Sequence, residues 1–473
     1  MTVPIDASSG AAGAGGSLTA QLAQRLARPV DARSRARAVL HWIDWIGCVA
    51  AGARAPVGGV VRRWPGVGGP AAGATAYSLL GPASDLYHAL VQDAAPANVE
   101  EMDDMHREAI LHPGPAVLPV LAALARTRGL AAHQVLDGVV RGYEAMARIG
   151  RALGPHHYRF WHNTATAGAF GAAAAGASAL GLNQEQTVWA LGNAGTQATG
   201  LWQVRFEPVM SKQLHTAHAA WSGLTAATLA QSGFTGPQYI LEGPRGLFAA
   251  MCDGGDGAQA NPGAVMAPED DWLIHGTSFK PWPACRHTHA TIDCMLALRA
   301  AQGGGPMEFA SARVESFADA IAICDNPRPT TRTEAKFSLQ YVVAAAAALG
   351  PLEPTHFDDD VFTRDALRDA AARVSLAVSP THQADYPAHY GARVVLTLAD
   401  GRVLRHEVRD SLGDPELALA PVRVLQKARM LMSYGGVAPA RRDAALNAAH
   451  RLLDGGGMDV AFPRELLDPL FTA

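Results

Sequence analysis

A chain of 473 residues exceeds one ordinary hydrophobic core, and 49% hydrophobic residues with 48 glycines suit two or three domains of closely approaching helices. Its 39 basic residues are outnumbered by 43 acidic ones, and the net charge of −4 excludes a general nucleic-acid binder. The five cysteines, Cys48, Cys252, Cys285, Cys294 and Cys324, are scattered, odd in number and without a CxxC pair, which fits a cytoplasmic protein and offers no iron–sulfur motif.

The first residues, MTVPIDASSGAAGAGGS, lack the basic start and apolar core of a signal peptide or membrane anchor, so 1–16 read as a flexible tail. Helical periodicity then recurs over Leu18–Leu26, Ala32–Ala51, Pro113–Arg128, Ala132–Leu153, Gln184–Ala198 and Met210–Gln231, predicting a helical domain over 17–265. GVGGPAAG at Gly66 has no strand before it and contains Pro70, which argues against a dinucleotide fold. The run Ala165 to Leu182 is dominated by alanine and interrupted by glycine, a pattern for a buried helix rather than a lipid span. After a Gly/Pro/Asp-rich linker from Asp256 to Pro268 the period changes. SARVESFAD and the pair RVVLTLADGRVLRHEVRD alternate like strands, with Asp400-Gly401 as the hairpin turn, so 266–412 form a smaller α+β lid domain. Helical signals return from Pro421 to Leu453, and 413–473 are expected to rejoin the first domain. The fold class is mainly α.

Two polar clusters interrupt this apolar background. In NVEEMDDMHREAILHPGPAVLP, Glu100, Glu101, Asp103 and Asp104 precede His106, Arg107 and His112, and Pro113 opens a helix. Proline favours the first helical turn, so His112 sits at a positive helix end that attracts anions, where it could act as acid or base on a carboxylate substrate. Taken alone, a solvated acidic loop before a capped helix explains the segment more simply. In SFKPWPACRHTHATIDC, Lys280, Arg286, His287 and His289 surround Cys285 in a turn stiffened by prolines. His287 and His289 lack a second Cys or His pair at zinc spacing, so no metal site is expected and carboxylate binding suits the cations better.

Four further positions stand out. His162 precedes Asn163, Thr164 and a small-residue run and so begins a tightly packed helix; a helix-capping role without chemistry explains it equally well. Lys212 and His215 share a helix face with Ala219 and Ser222, where small neighbours leave room for a ligand or for close packing. Tyr341 begins an Ala/Val-rich helix, with a buried ring and a hydroxyl that needs a partner. Cys285 lies between Lys280 and Arg286, its one hint of activation against the commoner fate of an inert buried thiol.

Six segments in order, DWIGCVAAG, the acidic run before HPGPAVLPVLAALA, GYEAMARIGRAL leading into FWHNTATAGAFGAAAAGASALGL, MSKQLHTAHAAWSGLTAA, FKPWPACRHTHATID and EAKFSLQYVVAAAAAL, resemble the MmgE/PrpD family. Its members include 2-methylcitrate dehydratases, cis-aconitate decarboxylases and iminodisuccinate epimerases. The resemblance implies a cytoplasmic homodimer and a lyase without cofactor, acting on a small di- or tricarboxylate. It implies a pocket of His112, His162, Lys212, Lys280, Cys285 and Tyr341 with Glu101, Asp103 and Asp104 at its edge. Lys212 and Lys280 would hold carboxylates and stabilise charge, His112 or His162 would move protons at carbon, and Tyr341 would position a substrate group. Glu101, Asp104, Lys280, Cys285, Arg286 and His287 would contact the substrate. An epimerase would use the same proton abstraction. Glu101 and Met105 replace the aspartate and threonine of many relatives, which leaves a catalytically silent carboxylate binder as a further alternative.

Overall fold

The computed structural model describes residues 16–67, 69, 74–207, 209–254 and 259–471. Residues 1–15 of the expected tail, most of the glycine run at Gly66 and part of the linker after Asp256 lie outside the described residues. The protein is mainly α, with a smaller α+β part.

The helices Leu18–Leu26, Ala32–Gly52, Gly114–Arg128, Ala132–Ala152, Gln184–Gly195 and Ser211–Gln231 form within a few residues of the predicted spans. Local chemistry sets their ends: Asp31 accepts from the Ser34 N–H at 2.8 Å, Asn183 from the Gln186 N–H at 2.9 Å, and left-handed Gly129 stops the Gly114–Arg128 helix. The centre of the bundle is the helix Asn163–Ala179, buried along nearly its whole length. Its Ala/Gly composition allows this burial. A Cβ on Gly171 would stand 3.0 Å from the Gly142 carbonyl oxygen, and one on Gly223 would stand 2.5 Å from the Ala173 nitrogen. Ala132–Ala152 and Ser211–Gln231 therefore pack backbone against backbone on either side of it, a closeness that larger side chains would prevent.

One hydrophobic core runs from Leu22 to Ile274 and takes in Leu425, Ala428, Met432, Leu446 and Leu452 from the C-terminal helices Pro421–Tyr434 and Pro439–Leu453. A second core is drawn from Trp282 to Leu398. It lies against a four-stranded sheet in the order Val374–Val378, Ser311–Ser316, Ala392–Thr397, Val403–Val408. The first pair is parallel and the other two are antiparallel. Asp400-Gly401 closes the hairpin as the turn residues predicted, with Gly401 at φ 84°. The parallel strand Val374–Val378 carried no clear alternation, because its middle is only half-buried.

Two features join these cores where the polar clusters meet. Met105–His106, after the acidic run, pairs antiparallel with Thr277–Ser278, which leads into the Lys280 segment. Beneath them, the buried Lys427 ammonium donates to Asp44 at 3.0 Å and to the Met102 carbonyl at 2.5 Å, tying the C-terminal helix to the second helix and to the acidic run. Burial pushes the Asp44 carboxyl up to about 6, with Lys427 opposing the rise. Among the described residues, no helix is long and apolar enough to cross a membrane.

Removing one partner of this buried pair leaves the other charge uncompensated, so Lys427→Met is expected to destabilise the protein by about 3 kcal/mol. Replacing both partners, Asp44→Leu with Lys427→Met, is expected to recover much of that loss. Thermal melting of the three proteins checks this, and an unchanged single variant would contradict it.

Candidate active site

The acidic run leaves the short helix Leu86–Ala94 through the 3-10 turn Ala95–Asn98 and brings Glu101 into the interior at φ 55°, a left-handed conformation that costs a glutamate energy. Its carboxylate accepts from Lys212 Nζ at 2.6 Å through one oxygen and from Lys280 Nζ at 3.1 Å through the other. Lys212 comes from the first turn of Ser211–Gln231, and Lys280 from the segment after the Thr277–Ser278 strand. Lys212 and Lys280, 111 and 179 positions along the chain from Glu101, thus meet on it, and the two polar clusters converge on one carboxylate. Burial alone would raise the Glu101 carboxyl, but the two ammonium groups outweigh it and hold the group well below the usual carboxylate range. The Lys212 ammonium is raised: burial opposes its charge, and Glu101 more than restores it.

Two histidines flank this cluster. His112 is half-buried, its backbone N–H donating to the Thr164 hydroxyl at 3.1 Å. Its Nδ1 lies 2.9 Å from the Asp104 carbonyl oxygen and 3.0 Å from the Asp103 carboxylate. A carbonyl oxygen only accepts, so His112 Nδ1 carries a proton, and in the neutral ring the lone pair is therefore on Nε2. His162 is buried at the N-terminus of Asn163–Ala179, its ring over Trp202 at 4.4 Å between centroids and its Nδ1 3.3 Å from Nδ1 of His215. Burial, with Lys212 and His215 adding to it, holds His162 well below its ordinary value and therefore neutral.

Cys285 is buried nearby, close enough for its charge to bear on Glu101 and Lys212. A hydrogen bond with Cys324 favours the Cys285 thiolate, burial opposes it, and His287, whose Nδ1 is 3.9 Å from the sulfur, supports it. His287 is enclosed by the rings of Phe317 and Tyr390 and reaches the cluster through Cys285. Next to Glu101 along the chain, Glu100 binds Lys336 at 2.5 Å and Arg332 at 2.7 Å, and the Lys336 carbonyl in turn accepts from the Cys285 N–H at 2.9 Å.

Three expected substrate contacts go elsewhere. Asp104 spends its carboxylate on His41 Nδ1 at 2.7 Å, the Tyr143 hydroxyl at 2.6 Å and the Gly114 N–H at 2.9 Å, which fixes the turn carrying His112 and leaves little capacity for a ligand. Arg286 is ion-paired with the buried Asp414. Tyr341 packs on Phe357 and Phe362 in the second core, and its hydroxyl donates to the His356 carbonyl, so the partner it required is backbone. His215, His41, Tyr143 and Cys324 are the groups that sequence reasoning left out of the site, while Asp103, expected at its edge, stands beside His112. His41 carried a signal, a histidine set among the buried apolar residues Ala38, Val39, Leu40, Trp42 and Ile43 of the helix Ala32–Gly52. Among the described residues, His389, Asp410 and Glu416 are close-set enough for a metal ion, but Arg107 already pairs with Asp410 at 3.2 Å and with Glu416 at 2.6 Å.

Family models match both parts of the chain: the MmgE/PrpD N-terminal domain over residues 18–259 and the MmgE/PrpD C-terminal domain over 282–452. The chain belongs to the MmgE/PrpD family. It is 28% identical to the cis-aconitate decarboxylase-like protein oryM of Aspergillus oryzae over 70% of this chain and 73% of that one. It is 26% identical to the cis-aconitate decarboxylase of Aspergillus terreus over 72% and 74% of the two chains, and 27% identical to that of Homo sapiens over 67% and 66%. The lysine and histidine cluster draws on both matched regions, since Glu101, His112, His162 and Lys212 lie in the first and Cys285 in the second, with Lys280 two residues before it.

The ionisation of Glu101 has a measurable sign in this family member. A carboxyl depressed in the folded state contributes stability that is present above its unfolded value, about 4.3, and is lost as pH falls through the folded one. Glu101→Gln, which leaves two lysines unpaired, is expected to melt below the unmodified protein at pH 7, with the gap closing as pH drops below about 4. A gap independent of pH would show that the carboxylate charge does not stabilise the fold.

Proposed function

We propose that the protein is a lyase of the decarboxylase or dehydratase type, acting on a small tricarboxylate without a cofactor. The observation that carries this reading is the seating of one carboxylate, that of Glu101, on two lysines with His112 and His162 beside them. In the free protein Glu101 fills a dicationic seat. A substrate carboxylate has the same shape and charge and competes for it. In a dehydration a proton is taken from one carbon and hydroxide leaves its neighbour; in a decarboxylation a second carboxylate leaves as carbon dioxide and its bonding electrons stay on the carbon until a proton is delivered. The ammonium groups of Lys212 and Lys280 then face the negative charge that develops at that carbon, where preorganised cations act most strongly because burial keeps water out. His112, with its Nε2 lone pair, is suited to take a proton, and Asp103 beside Nδ1 favours the imidazolium that results. His162, held neutral, is suited to exchange a proton at the other side. The decarboxylase relatives favour cis-aconitate within this class.

Substrate assignment follows from one assay: incubation with cis-aconitate, citrate, 2-methylcitrate and iminodisuccinate, with NMR of substrate and product to read carbon dioxide loss, water loss and inversion together. Conversion of a tricarboxylate is expected, and inversion of iminodisuccinate alone would replace the lyase with an epimerase. Lys212→Ala is expected to lower turnover roughly a hundredfold, equivalent to about 3 kcal/mol of transition-state stabilisation. Lys212→Arg is expected to recover little, since a planar guanidinium does not fit the place of an ammonium point charge. Unchanged kinetics in Lys212→Ala would remove the seat from the mechanism.

A further inference from the structure

His162 cannot act alone. Its backbone N–H donates to the Gly200 carbonyl at 2.7 Å, its ring lies against Trp202, and its Nδ1 meets Nδ1 of His215 at 3.3 Å. Gly200, at φ 110°, lets the loop pass over both rings: a Cβ there would stand 2.4 Å from the Ala165 Cβ and 3.5 Å from His215 Nδ1. Two nitrogens this close must share a single proton, one ring donating and the other accepting, because two N–H groups or two lone pairs would repel. His215 differs from His162 in its surroundings. It lies half-buried on the Ser211–Gln231 helix, one turn after Lys212 and beside exposed Ser211 and Leu214, whereas His162 is sealed inside.

We infer that His215 is a positioning residue that sets which nitrogen of His162 carries the proton, and so whether the free Nε2 meets the substrate as an acid or as a base. The inference rests on the reading of His162 as a proton-exchanging group in the proposed reaction. When His215 donates its Nδ1 proton, His162 accepts on Nδ1 and its own proton sits on Nε2, the acid form; when His215 accepts, His162 donates from Nδ1 and Nε2 is a base. Protonation of the more accessible His215 forces the first arrangement, since an imidazolium can only donate. The charged and titratable groups facing the pair are Lys212 and His218 on the same helix as His215, His112 on the turn before Gly114–Arg128, and Glu101 in the acidic loop. Burial, with His218 and Lys212 adding to it, lowers His215 below its ordinary value, so its protonation falls on the acidic side of neutrality.

The test compares His215→Ala and His215→Gln with the unmodified protein on the tricarboxylate it converts, over a range of pH, together with nitrogen-15 NMR of the histidine rings in the free proteins, the His162 signals being identified from their loss in His162→Gln. The glutamine amide can donate to His162 Nδ1 but does not titrate. Ala is expected to lower kcat on the order of tenfold to a hundredfold with little change in KM, and to leave His162 as a mixture of tautomers. Gln is expected to restore most of the turnover, to fix one tautomer and to flatten the acidic limb of the pH profile. Wild-type kinetics in both variants, or a loss in Ala that Gln does not relieve, would overturn the inference, as would a His162 tautomer unchanged in Ala. A fixed tautomer in a protein that converts no tricarboxylate would count against the proposed function, and the catalytic role of His215 would fall with it while the pairing stands.

Discussion

Glu101 lies between the half-buried Lys212 ammonium and the fully buried Lys280 ammonium, and much of what surrounds it brings those three charges together. Burying a carboxylate and two lysines is unfavourable unless each is paired at short range, so the fold is under tight geometric demand at this point. The acidic loop meets that demand with a left-handed glutamate, with the two-residue strand pairing to Thr277–Ser278, and with Lys427 holding the Met102 carbonyl from below. Adjacent Glu100 reaches the opposite way to Lys336 and Arg332, so one dipeptide holds cations from both cores.

A second layer of buried polar contacts sets the histidines. Asp104 gathers His41, Tyr143 and the Gly114 N–H, which fixes the start of the Gly114–Arg128 helix and aims its backbone carbonyl at His112 Nδ1. Asn163 reaches the Ala109 carbonyl at 3.0 Å and Thr164 receives the His112 N–H, so the central helix and the acidic loop share their ends. Such contacts make Asp104, whose carboxylate is taken up by protein groups, part of what fixes the position of His112. They also explain the small-residue packing of Asn163–Ala179: close helix approach positions His162 at the floor of the cluster.

Much of the fold was legible in the sequence, for identifiable reasons. Helices with caps and amphipathic faces, such as Ala132–Ala152, and the Asp400-Gly401 hairpin announce themselves through local pattern, and Lys212, Lys280, His112 and His162 stood out as polar residues in apolar surroundings. What stayed hidden depends on long-range pairing. Nothing local distinguishes Glu100 from Glu101, yet one serves the structural clamp and the other the seat. Arg286 was expected to bind substrate as one of the cations around Cys285 and Tyr341 through the family resemblance, and only the folded chain reveals that Asp414 and the His356 carbonyl are their partners. His215 shared a helix face with Lys212, but its meeting with His162 crosses 53 residues.

The central claim is that Lys212 and Lys280 form a seat for a substrate carboxylate which Glu101 occupies in the free protein. It is tested most directly by calorimetric titration of the unmodified protein and of Glu101→Gln with propane-1,2,3-tricarboxylate, a saturated tricarboxylate that cannot eliminate across a double bond. If Glu101 competes for the lysines, its neutral replacement binds the tricarboxylate more tightly, by about tenfold or more given the strength of a like charge at short range near a protein interior. Equal or weaker binding by Glu101→Gln would contradict the account, since the lysines would then be serving the glutamate alone.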